Sequence, residues 1–230
     1  KIMCAVAADL RDTSPALLVQ PADYAAFAGS CLALDVPHGI LGGRTLREYI
    51  RQRLPVVTFP GNPLCCCLGV CGLLLLEEDG RGYLLTVKRA AHLSSLAGTI
   101  GPSVAGVVDW RTDADSLAEL ARIQLMLELA EELGLQADEC RLTLLAWGLE
   151  LFRGGKPQIF ALVTTGLSRR ELAARLDNLP TETREFSDYA FVPFAPDAPL
   201  APDVIDSLNH EARANYRLLE EYLNGRNDLG

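Results

Sequence analysis

Positive charge is in short supply: 21 lysines and arginines stand against 30 aspartates and glutamates in 230 residues, a net charge of −9. A mean field of that sign repels phosphate, which excludes a general nucleic-acid binder or an anionic-membrane binder. A phosphorylated ligand would need divalent cations or a local basic pocket. Long hydrophobic runs are lacking as well. The apolar stretch at 64–76, LCCCLGVCGLLLL, falls short of the ~20 residues that cross a bilayer and meets the turn EEDGRG at once. No secretory signal is read ahead of it, so a soluble cytoplasmic protein without membrane attachment is expected. Histidine is scarce, and His38, His92 and His210 show no ligand spacing. The seven cysteines lack zinc-ribbon spacing. Cys65, Cys66, Cys67 and Cys71 crowd into the apolar run and read as small hydrophobes of a buried strand in a reducing compartment. Internal repeats and low-complexity tracts are absent.

What is there is an ordinary globular composition, 49% hydrophobic and 22% charged, with length enough for one sizeable core and its attachments. Three parts are expected: an extension over 1–62 packed on the main domain, that domain over 63–200, and a C-terminal helix over 201–230. The extension alternates short apolar pieces with Pro and Gly (LVQPADY, LDVPHGILGG, VTFPGNP), and its clear helix candidate is TLREYIRQRL. Then LCCCLGVCGLLLL and GYLLTVKRA flank Glu78, Asp79, Gly80 and Arg81 as a β-hairpin. A Gly- and Ser-containing loop, SSLAGTIGPSVAG, leads to a short strand at 105–108. Asp115 or Ser116 can cap a long helix that runs to about Leu133 and stops at Gly134. A second hairpin follows in LTLLAWGLELF and PQIFALVTT, and Ser168 with Glu171 makes the capping box of another helix. A last strand is expected at YAFVPF, then the joint APDAPLAP, then a terminal helix over about 203–223 ending at Gly225. Its Leu208, Tyr216, Leu219 and Tyr222 suit docking on the domain or on a second subunit.

The long helix carries LELAEELGLQ at 127–136, with Glu128, Glu131 and Glu132 close together. At about 100° per residue, Glu132 lies roughly 40° and Glu131 roughly −60° from Glu128, so the three carboxylates share one sector. Leu117, Leu120, Ile123, Met126, Leu127, Leu129, Ala130 and Leu133 fill most of the remaining circumference. Glutamates at this spacing are commonly a solvated face. A helix apolar nearly all round is buried between layers, however, and three like charges there are costly unless a cation sits among them. Carboxylates at i, i+3 and i+4 can converge on a hard ion such as Mg²⁺ or Mn²⁺. The apolar wrapping and the flanking strands favour that metal-binding reading.

LELAEELGL resembles the second half of the Nudix box, G-x5-E-x7-R-E-U-x-E-E-x-G-U with U aliphatic. Glu128, Glu131, Glu132, Gly134, Leu129 and Leu135 fall in register. The order of hairpin, Gly-rich loop, glutamate helix, second hairpin and late strand is similar to the Nudix α/β/α sandwich over 64–194. The resemblance implies an α/β fold with a mixed sheet, and a Mg²⁺- or Mn²⁺-dependent pyrophosphatase acting on a nucleoside diphosphate-linked substrate, with a homodimer compatible. Glu131 and Glu132 are the implied metal ligands, and Glu128 a third ligand or the general base. Two departures stand out. Leu127 occupies the place of the family arginine, which holds a box glutamate by a salt bridge, so Gln124 one turn earlier is the expected replacement. Strict spacing puts Asp113 at the box glycine and Glu119 at its first glutamate, about half a helical turn away from Glu128. Gly106 is the better candidate for that glycine, leaving Asp109 or an aspartate of RTDAD near the site.

Arg89 and the loop 94–103, including Ser103, are candidates to meet substrate together with Gly106 and Asp109, and Trp110 could stack on a base. Two readings from other classes stay open: a catalytically degenerate Nudix domain that binds a nucleotide or a protein, and a structural α/β module with solvated glutamates. An isoprenoid isomerase related to this fold ranks below both, because the cysteines sit in a strand pattern without an accompanying motif.

Overall fold

The computed structural model describes the chain except residues 10–15, 53–61, 94, 183, 196, 197, 199 and 228–230, and only the backbone of 8, 9, 226 and 227. Ser94, the end of TLREYIRQRL, most of VTFPGNP and much of the proline-rich joint therefore lie outside the described residues. Two compact units are present, one of residues 1–69, 107–121 and 147–158, the other of 70–106, 122–146 and 159–230.

The first unit holds a three-stranded sheet in the order β2-β1-β3, built from β1 (Ile2–Asp9), β2 (Ala16–Ala22) and β3 (Cys66–Cys67). Both pairings are antiparallel. Pro21 sits on β2 opposite Met3, and an edge strand tolerates its missing N–H. Helix α1 (Tyr24–Phe27) is capped by Asp23 and runs on into a π-helical turn, Ala28–Leu32. Helix α2 (Leu46–Arg51) opens on Thr45 with Glu48 completing a capping box. Ile2, Phe27, Cys31, Leu34, Ile50, Leu64, Cys66 and Cys67 form the core of this unit. Lys156 is buried in it, its Nζ donating to Glu150 Oε2 at 3.1 Å and to the Gln158 amide oxygen. Paired this way, the ammonium does not bear the full desolvation cost.

The larger sheet is mixed and carries the expected hairpin, β4 (Gly69–Glu78) and β5 (Arg81–Arg89). Its two-residue turn places Asp79 at φ 53° and Gly80 at φ 71°, the left-handed pair that a tight hairpin needs. The single strand expected from Leu64 is instead interrupted at Leu68, which separates β3 from β4. Next come β6 (Ile100–Gly101), β7 (Val104–Val107) and helix α3 (Leu117–Leu133). Ser116 Oγ accepts the Glu119 N–H at the start of α3; at its end Gly134 takes φ 67° and Leu135 N–H reaches Leu129 O at 3.0 Å. Strands β8 (Cys140–Glu150) and β9 (Lys156–Thr165), helix α4 (Arg169–Asp177) and strand β10 (Phe186–Phe194) complete the order β10-β5-β4-β9-β8, with β6 on β5 and β7 on β4.

The terminal helix is broken in two, α5 (Pro202–Ser207) and α6 (His210–Asn227), where one helix ending at Gly225 is expected. Asn209 causes the break: its backbone N–H pairs with Ile100 O at 2.8 Å, and its Oδ1 caps α6 by accepting the Ala212 N–H at 3.0 Å. Helix α6 docks within the second unit, its Ala212, Tyr216 and Leu219, with Leu208 from the break before it, buried with Leu73, Leu84, Leu162 and Phe194. Among the described residues no helix is long and apolar enough to cross a membrane.

Candidate metal centre

Helix α3 buries Ala121, Leu125, Leu129 and Leu133, one apolar stripe at i, i+4 spacing. Gln124, Glu128 and Glu132 form the neighbouring stripe, partly sheltered by the same packing. Leu127 and Glu131 lie one step further round and are exposed, Leu127 by 43%. The expectation of a helix buried on all sides is thus corrected: one leucine stripe anchors α3, and the opposite face is open to solvent.

The sheltered stripe faces β7. Gln124, itself buried, donates from Nε2 to Glu128 Oε1 at 2.8 Å, so the residue one turn earlier holds this carboxylate where Leu127 cannot. Glu128 occupies the space over Gly106, and a methyl group there would overlap its carboxylate and Cγ. Glu132 Oε2 accepts the Ala105 N–H at 3.4 Å. Burial pushes the Glu132 carboxyl well above its usual range, Glu185 and then Glu128 push it further, and the Ala105 N–H and Arg89 oppose the shift. Glu185 precedes β10, whose Phe186 pairs with Arg89, and its carbonyl accepts the Ala90 N–H at 2.9 Å.

Arg89 ends β5, where its Nε donates to Ser95 O at 3.2 Å and its backbone holds Gly98 and Thr99, fixing the loop that follows. Ser103 is not placed to meet a ligand. It is fully buried, accepting Leu74 N–H at 2.7 Å and donating to Leu85 O at 2.5 Å, which corrects the expectation of a substrate contact there. Asp109 is exposed in the first unit, where it bridges Ile2, and Trp110 N–H pairs with Lys1 O. Glu119 accepts the Asp115 N–H at 2.8 Å and so serves the start of α3. Glu185 went unnoticed in the sequence because TETREFSDY carries no periodic pattern; only the pairing of β10 with β5 brings it beside Arg89.

The donor set is all oxygen, which suits a hard divalent ion. The oxygens of Glu128, Glu132 and Glu185 are not all gathered within 4.8 Å of one another.

No family model and no curated protein matches the sequence. Among solved structures, the chain is similar to a mutT/nudix family protein from Listeria innocua, at 13% identity over 71% of this chain and 98% of that one, TM-score 0.45. It is also similar to the C. elegans Ap4A hydrolase, at 13% identity over 68% and 98%, TM-score 0.41. A third likeness is to the NUDIX domain of Shewanella oneidensis NrtR complexed with ADP ribose, at 18% identity over 78% and 99%, TM-score 0.39.

Proposed function

We propose that this chain is a divalent-metal-dependent hydrolase that cleaves the pyrophosphate bond of a nucleoside diphosphate-linked compound. One observation carries the reading: Glu128 and Glu132, one turn apart on the half-buried stripe of α3, stand against β7 with Glu185 adding like charge, a gathering that calls for a cation. The register of Glu128, Glu131, Glu132 and Gly134 with the Nudix box supports it. Glu128 and Glu132 would hold Mg²⁺ or Mn²⁺, with Glu131 reaching it from the solvent side. The ion would supply charge neutralisation for the diphosphate and acidify the attacking water. Glu185, on a separate element, would accept that water's proton on a carboxylate oxygen, a role its electrostatic influence on Glu132 supports. The Arg89 guanidinium offers N–H groups to phosphate oxygens, and Gly106 keeps the floor of the site low enough for Glu128. The chain is soluble and cytoplasmic in this reading, with a homodimer compatible.

A second reading, a degenerate domain that binds a nucleotide or protein without cleaving it, is favoured by Leu127 exposed at the arginine position and by Glu119 serving the helix start. Release of phosphate or nucleotide from nucleoside triphosphates, nucleotide sugars, dinucleoside polyphosphates and dinucleotide cofactors, with Mg²⁺ or Mn²⁺, separates the two. Metal-dependent turnover of any of these supports the hydrolase; a folded protein inert on all of them supports the binding module.

The Glu132 carboxyl also sets a pH dependence. Its folded pKa is raised above the ordinary 4.5, so the stability it contributes is complete below 4.5 and is lost as pH rises through the raised value. The metal-free protein is therefore expected to lose melting temperature over that window relative to Glu132→Gln, which lacks this titration. Mn²⁺, binding only the folded site, restores it. Melting curves against pH for both proteins, with chelator and with Mn²⁺, check this; parallel curves would sink it.

A further inference from the structure

The first unit contains a feature that the proposed hydrolysis does not use. Cys31, on the π-helical turn Ala28–Leu32, and Cys66, on β3, are buried with their sulfurs 3.8 Å apart, although 35 residues separate them in sequence. A disulfide bond is about 2.05 Å, so closure needs an approach of roughly 1.8 Å. Both sulfurs are already oriented by polar contacts. Cys31 Sγ lies 3.3 Å from Cys65 O; Cys66 Sγ accepts from Asn62 Nδ2 at 3.1 Å and lies 3.6 Å from Gly154 O.

We propose that Cys31 and Cys66 are a peroxide-oxidisable dithiol that closes to a disulfide, tying the π-helical turn to β3. The two cysteines play different parts. The hydrogen bond from Cys66 holds the Cys31 thiol below its ordinary range, with Ser30 and the charges of Lys156 and Arg153 adding to the effect, while Cys66 is raised. Cys31 also keeps a trace of exposure, 3% against none for Cys66, so peroxide meets it first: Cys31 is the attacking sulfur and Cys66 the resolving one. The Cys31 thiolate attacks one oxygen of hydrogen peroxide, an S–O bond forms, the O–O bond breaks, and the departing hydroxide takes a proton to leave as water. The Cys66 sulfur then attacks the sulfenic sulfur, an S–S bond forms, the S–O bond breaks, and a second water leaves with the Cys66 proton. Two thiols and one peroxide become one disulfide and two waters, the sulfur pair losing the two electrons that the peroxide gains. The neighbouring thiols compete poorly. Burial pushes Cys65 up to about 12 and raises Cys67, and Cys4 is raised as well.

The intact native protein treated with graded hydrogen peroxide, then alkylated and mapped by non-reducing peptide mass analysis, tests this directly. The expected product is a Cys31–Cys66 linked peptide, short of two hydrogens and reversed by dithiothreitol, with Cys140 still alkylated as a thiol. In Cys66→Ser the Cys31 sulfenic acid should instead be trapped by dimedone. Linkage of Cys4 to Cys65, oxidation of Cys140 ahead of Cys31, or complete alkylation of both Cys31 and Cys66 after peroxide each overturns the proposal. The mapping of the native protein decides the matter even if a variant does not fold.

Discussion

Glu132→Gln is expected to cost turnover by at least about 10–100-fold, the loss that follows removal of even a group supporting a metal ligand, while making the metal-free protein more stable as pH rises above the ordinary carboxylate range. The two effects have one cause. Glu132 is held in a sheltered site beside Glu185 and Glu128, and its charge is unfavourable there until a cation arrives. Glutamine keeps the shape and removes the charge, so the apo fold gains and the site loses its grip on the ion. Glu131→Gln, on the exposed face of the same helix, should lose less. Steady-state kinetics across a Mn²⁺ series, with thermal unfolding in chelator, would show this opposition. Loss of both activity and stability in Glu132→Gln would mean that the residue is a packing element instead.

Gly106→Ala is the second large effect. An added methyl overlaps the Glu128 carboxylate and Cγ, and Gln124 holds that carboxylate in place at 2.8 Å. Overpacking of this kind costs about 1–3 kcal/mol, and the carboxylate that must move is one of those proposed to hold the ion, so turnover should fall with stability. The decisive comparison is Gly106→Ala combined with Glu128→Ala. If the clash is with this carboxylate, the added methyl costs much less stability in the Glu128→Ala background than in the native protein. Equal costs in both backgrounds would place the strain in β7 itself.

Much of the second unit was legible because its signals are local. Asp79 and Gly80 specify a tight hairpin, Ser168 and Glu171 specify a helix start, and Gly134 specifies a helix end, each through contacts within a few residues. Gln124 was legible as a stand-in for the missing arginine because it lies one turn before Glu128 on the same stripe. What escaped depends on partners distant in sequence. Strands β1 and β2 read as irregular pieces, since their short alternations are interrupted by Pro21 and become strands only through mutual pairing and the pairing with β3. Ser103 looked like a loop serine open to ligand, yet the partners that consume its hydroxyl, Leu74 and Leu85, lie on two other strands. Asn209 was hidden in the same way, because the carbonyl that draws its N–H out of the helix belongs to Ile100.

The division of the chain sets a timetable for its synthesis. The first unit draws on residues 1–69, 107–121 and 147–158, so its final contributors leave the ribosome only after much of the other unit has already emerged. At about 5–20 residues per second, the N-terminal strands wait several seconds for their last partners, with the cysteine-rich β3 segment among them. Neither unit is a contiguous piece that a nascent chain can finish and set aside. Slow translation before residue 158 would therefore prolong the interval in which aggregation competes with folding.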